Sequence, residues 1–203
     1  IDFQIPLIAF SIAVVLAILA ALFGLIAALV SFLGDHGTHL RALFALVLAI
    51  IVLIAPVDTI VQGVGAPLIH DITTDLEDPP IFVEVLRRRS PSDNSLDINQ
   101  EVLETQKNYY TDIGPTRLAM TKANAFALVS DVVKESGWQV HSEKANLGYI
   151  EATASTRFFG FRDDVIIRIT EDTGGARVDM RSASRGGLSD LGVNAGRIRA
   201  FMA

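Results

Sequence analysis

From Ile5 to Leu33 the chain carries no charged side chain, and from Leu40 to Ala55 a second apolar run is broken only by Arg41. A helix over the first run would reach about 43 Å, more than the ~30 Å that a hydrocarbon core requires, so the pattern predicts a spanning helix. Pro6 suits its first turn, and Gly24 with Ala27 and Ala28 forms a small-residue face for a close helix neighbour. Gly34 to His39 reads as a polar turn. The second run alone reaches only about 24 Å, so the expected span continues past a kink at Pro56 toward Val64. Residues 1–64 are thus expected to form a transmembrane helical hairpin. A cleaved signal peptide fits less well, because the first run is about twice a signal core and has no basic flank. A start at Ile1 rather than Met leaves room for a removed leader.

Beyond residue 64 the pattern changes. Residues 65–116 contain Pro67, Pro79, Pro80, Pro91 and Pro115 and read as an extended connector with one short helix, from Ile98 to about Tyr109, capped by Asp97 with Gln100 in the reciprocal position. Residues 117–203 are regular. Arg117 to Met120 suits a first strand; Thr121 caps a helix with Phe126, Val129, Val132 and Val133 on one face, and Gly137 ends it. Four stretches then alternate with period two, carried by Trp138 and Val140, by Ile150, Ala152 and Ala154, by Val165, Ile167 and Ile169, and by Val178 and Met180. Each is expected to keep one wet face. Asn146-Leu147-Gly148 and Asp172-Thr173-Gly174-Gly175 are hairpin turns, and a helix from Leu191 to Met202 closes the chain. The fold class expected is α+β: the membrane hairpin, then a β-α-β-β-β-β-α antiparallel sheet covered by two helices.

Charge narrows the function classes. The net charge is −6, and almost all ionisable groups follow residue 55, where acidic side chains outnumber basic ones; that balance disfavours nucleic acid as a partner. With no cysteine, disulfides, thiolate nucleophiles and thiolate metal sites are excluded. Arg41 at the turn, against acidic flanks from Asp58 to Asp78, places the turn in the cytoplasm by the positive-inside rule. A two-pass protein of the bacterial inner membrane with a periplasmic domain follows as the expectation, with the lipid bilayer and other integral membrane subunits as partners.

Candidate chemistry is sparse. The segment with Ser184, Arg185, Gly186, Gly187, Ser189, Asp190 and Asn194, together with Arg197, precedes and opens the last helix, where backbone N–H groups can hold an anion or a partner. Asp190 reads equally as the cap of that helix, neutralised by Arg185 or Arg197. His36 and His39 have a spacing compatible with metal ligation but sit in a turn. His70, Asp71 and His141 raise a hydrolase reading that no nucleophile elbow or paired-histidine helix supports. Arg87-Arg88-Arg89 reads as a solvated basic run. No catalytic residue, cofactor or metal site is assigned.

Four ordered blocks carry a family resemblance. They are His70-Asp71-Ile72-Thr73-Thr74-Asp75 with Pro79-Pro80; Tyr110 to Pro115; Ile150-Glu151-Ala152-Thr153-Ala154 with Phe159-Gly160-Phe161; and Ser182 to Asn194 with Arg197-Ile198-Arg199. From about Asp71 to Phe201 the chain resembles the bacterial domain-of-unknown-function family numbered 1499. The resemblance implies no established reaction. The expectation for function is therefore a membrane-anchored, non-catalytic accessory or scaffold subunit of a larger membrane complex, whether energy-transducing, photosynthetic, respiratory or of the envelope. The alternative is a lipid-like or small-ligand-binding envelope module, with a hydrolase third.

Overall fold

The computed structural model describes residues 4–33, 43–44, 46–48, 50–51, 65–156 and 160–203. The chain divides into two units, Ile1–Val61 and Gln62–Ala203.

In the first unit α1 runs over Gln4–Leu33. Residues of the expected second span are described as helical only between 43 and 51. Among the described residues no helix is long and apolar enough to cross a membrane. The expected transmembrane hairpin, and with it the two-pass inner-membrane localisation and periplasmic domain, is corrected on that finding. Gly24 and Ala27 lie on α1, Gly24 buried and Ala27 exposed, and Ala28 lies on the same helix. The turn with His36 and His39 and the kink at Pro56 lie outside the described residues.

The second unit is built on a six-stranded antiparallel sheet in the order β1-β6-β5-β4-β3, with β2 also paired to β6. The strands are β1 (Asp71–Thr73), β2 (Thr116–Leu118), β3 (Gln139–Lys144), β4 (Tyr149–Ser155), β5 (Arg162–Asp172) and β6 (Gly175–Ser184). Both short strands use β6, with Asp71 opposite Ala183 and Thr116 opposite Val178. The sheet thus gains a strand from the segment expected to be connector.

Helices α2 (Gln100–Tyr109), α3 (Lys122–Glu135) and α4 (Val193–Met202) complete the unit. Thr121 caps α3, its hydroxyl accepting from the Asn124 N–H. At α2 the cap is Asn99, which accepts from the N–H groups of Glu101 and Val102, whereas Asp97 accepts from the Ser95 hydroxyl. The helix starts later than the sequence suggested because only Asn99 has its oxygen within reach of the first free N–H groups.

One core lies between the sheet and its helices. Ile150, Val165, Ile167, Ile169 and Met180 from the strands meet Ala125, Phe126, Val129 and Val133 of α3 and Ile198 of α4. Trp138 stacks on Phe201 at 5.4 Å. Each fully buried branched or aromatic side chain contributes about 1.5–3 kcal/mol. The outer edge of β1 is closed by Gln106 of α2, whose carboxamide accepts from the Thr73 N–H at 3.0 Å and donates to the Thr73 carbonyl at 2.6 Å. A side chain here replaces the missing neighbour strand and blocks edge pairing.

The opposite sheet face is not wet. Glu151, Thr153, Asp164, Asp179 and Arg181 are all buried: residues 82–97 fold back over the others, while Arg168 and Arg177, held by Asp75, flank Asp179. Phe82 and Val85 pack on Ile166 and Ala183, forming a second small core with Leu96 and Tyr149 beside it. Polar alternation looks the same in sequence whether water or a polar segment lies opposite.

Two turn glycines separate strain from collision. Gly148 and Gly174 both have positive φ, +79° and +87°, but a Cβ at Gly148 would lie 2.2 Å from the Ile169 carbonyl oxygen, whereas none falls within 4 Å at Gly174. Gly174→Ala is expected to cost about 1–2 kcal/mol of left-handed strain, and Gly148→Ala about 1–3 kcal/mol more for displaced backbone. Urea unfolding of the two variants measures the difference.

Candidate functional site

The polar face beneath residues 82–97 is the most concentrated chemistry in the fold. Glu151 of β4 points into a turn of backbone, and its carboxylate accepts from the consecutive N–H groups of Val83, Glu84 and Val85 at 2.9–3.2 Å. Those amides open the short 3-10 helix Val85–Arg88, whose unpaired donors need an acceptor of this kind. Arg181 of β6 is 2% exposed. It pairs with Asp71 at 2.6 Å, donates to the carbonyls of Pro80 and Leu96, and lies 5.2 Å from the Phe82 ring centre. Farther along the sheet Asp179 sits between Arg168 and Arg177, and both guanidinium groups also hold Asp75.

At the other end Asp164 is fully buried between two cations. Arg89 meets it at 2.5 Å and Arg185 at 2.8 Å, and the Thr153 hydroxyl donates to the same carboxylate at 2.7 Å. His141 Nε2 lies 2.8 Å from that hydroxyl oxygen. Since the Thr153 proton is directed to Asp164, the hydrogen-bond pattern assigns Nε2–H to His141 as the donor. The imidazole therefore does not serve as a base for this hydroxyl. Burial, then the charges of Arg88 and Arg185, holds the His141 pKa below its ordinary value, against the opposing pull of Asp164 and Glu151. Of the basic run, Arg89 is buried in this ion pair, Arg88 gives its carbonyl to Arg185, and Arg87 is exposed beside Glu84.

The loop singled out in the sequence turns its polar groups inward. Asp190 accepts from the N–H groups of Gly192 and Asn194, at 2.9 and 2.8 Å, and so occupies the start of α4 itself. Its pKa is raised, chiefly by burial. Neither arginine neutralises it: Arg185 pairs with Asp164, and Arg197 pairs with Asp163 at 2.5 Å while donating to Ser182 and Asn194. Asn194 donates to the Ser184 hydroxyl and to the His70 carbonyl. The Gly187 carbonyl accepts from Asn94, and Ser189 donates to the Pro67 carbonyl. Gly186 continues the loop at intermediate exposure.

An open concavity borders these groups and shares Asp71 and Arg181 with them. A cleft of about 540 Å³ lies between β1, residues 94–99 and the first turn of α2, with His70, Asp71, Asp97, Gln100 and Arg181 in its lining. Sequence reasoning named His70 and Asp71 but missed Asp97, Gln100 and Arg181 as neighbours, because only the folding of residues 94–100 against β1 brings them together.

His141 ties this geometry to pH. A histidine whose folded pKa lies below its unfolded value binds fewer protons when folded, so its contribution is present above the unfolded pKa of about 6.5 and is lost as pH falls from there toward the folded value. His141→Gln keeps a donor near Thr153 without the titration, and is expected to flatten the loss of stability on acidifying below pH ~6.5. Urea midpoints measured across that range for the two proteins provide the check.

A search of curated proteins and a search of solved structures find no match to the chain. The family described as "Protein of unknown function (DUF1499)" matches residues 71–203, a span that takes in the whole sheet and helices α2 to α4. On that match, the chain belongs to the DUF1499 family.

Proposed function

We propose that the chain is a non-catalytic accessory or scaffold protein that docks onto a larger protein assembly. The observation that carries the reading is a pair of exposed leucines on neighbouring, firmly held segments. Leu68 is 79% and Leu188 81% exposed. The segments bearing them are joined where Ser189 donates to the Pro67 carbonyl and the Asp190 N–H donates to the Ile69 carbonyl. Leu191 adds a third exposed leucine to this stretch. Large apolar side chains held on rigid backbone favour association, because covering them releases water without a large ordering cost.

Two further features support it. Phe23 and Val30 of α1 are also exposed within their own unit, and contiguous apolar surface of this kind is a mark of interaction sites. The ionisable groups on the buried sheet face are meanwhile engaged in holding the fold, with His141 donating to a threonine rather than activating it.

The protein isolated gently from its source is expected to migrate well above its own 21.9 kDa. Leu68→Asp with Leu188→Asp should move it toward that mass while leaving the free energy of unfolding in urea within about 0.5 kcal/mol of the parent, as for surface substitutions generally. Migration of the unaltered protein alone, at its own mass, is the result that removes the reading.

A further inference from the structure

The cleft beside β1 has features that docking through leucines does not use. Its volume of about 540 Å³ lies in the range of about 300–1,000 Å³ usual for small-ligand sites. Among the described residues no buried side-chain nitrogen or oxygen lacks a partner, yet two polar groups lining this cleft remain uncommitted. Among the described residues the His70 imidazole and the Gln100 carboxamide make no hydrogen bond, although the carboxamide of Gln106, six residues along the same helix, accepts from and donates to Thr73. Both residues line the cleft, and between them their side chains offer donors and acceptors.

Charge then selects the ligand. Asp71 and Arg181 neutralise each other at 2.6 Å, and the Arg181 guanidinium is further occupied by the carbonyls of Pro80 and Leu96. Asp97 has no cationic partner among the described residues; it accepts only from Ser95. The lining is left with one uncompensated carboxylate, which attracts an ammonium group and repels an anion. Ile98 and Val102 give the same cleft an apolar strip, suited to the C–H face of a ring.

The geometry points to a site for a small polyhydroxylated amine, of the amino-sugar class: the ammonium at Asp97, hydroxyls at His70 and Gln100, and the carbon skeleton against Ile98 and Val102. This is independent of the leucine surface, since none of these side chains belongs to it.

Calorimetric titration of the full chain with glucosamine, glucose and glucuronate tests the assignment. Saturable heat is expected with glucosamine, with affinity at least tenfold weaker for glucose and weaker still for glucuronate. Asp97→Asn should bring glucosamine down to the level of glucose, and Gln100→Ala, an exposed position, should weaken both sugars several-fold with the unfolding midpoint unchanged. No saturable heat with glucosamine overturns the proposal, as does glucuronate binding equal to that of glucosamine, or full retention of binding in both variants. The mass of the native assembly is read separately, so failure of one idea leaves the other standing.

Discussion

Buried charge is the constraint around which the DUF1499 unit is organised. Glu151, Asp164 and Arg181 stand on the sheet face away from the helices, each nearly or fully out of water. A buried ion stripped of one partner costs about 3–5 kcal/mol. The partners come largely from residues 80–97: three successive amides for Glu151, Arg89 for Asp164, and the carbonyls of Pro80 and Leu96 for Arg181. Lifting that segment would strand Glu151 altogether and leave Asp164 with Arg185, and Arg181 with Asp71, as their remaining charged partners, so a stretch with almost no regular secondary structure is tied to the sheet by charge. Phe82 and Val85 add an apolar contact beneath it, but apolar contact alone would tolerate sliding, whereas the Glu151 carboxylate addresses three particular N–H groups.

That same fixation builds the rest of the surface. With residues 80–97 in place, residues 94–99 stand against β1 and close one side of the cleft, and Asn94 reaches Ser184 and Gly187 to hold the loop before α4. The loop in turn carries Leu188 and is pinned by Asp190 at the start of α4. Both proposed binding surfaces are therefore consequences of one buried network, though they engage different chemistry.

The sequence was most legible where a signal is local. Period-two alternation marked the four long strands, Thr121 and Gly137 bounded α3, and the Gly148 and Gly174 turns joined neighbouring strands antiparallel. It failed where meaning depends on distant chain. Arg89 and Asp164 are separated by 75 positions, and nothing near either residue announces the other, so Arg89 read as part of a solvated run and Asp164 as a wet face. Arg185 stands in the loop before α4 and Arg197 within α4 itself, and their carboxylate partners are Asp164 and Asp163 rather than the nearby Asp190. Composition misled as well: the long uncharged run near the start suggested a membrane hairpin, and among the described residues no helix meets the requirement for crossing.

The central claim is that the Glu151 carboxylate locks residues 83–85 to the sheet. Amide hydrogen exchange of the full chain reads those positions directly. The amides of Val83, Glu84 and Val85 should exchange as slowly as those of Ile166 and Ile167 in the middle of the sheet, although among the described residues no strand pairs with them. Exchange at the rate of exposed loop amides, with the sheet still protected, would contradict the account.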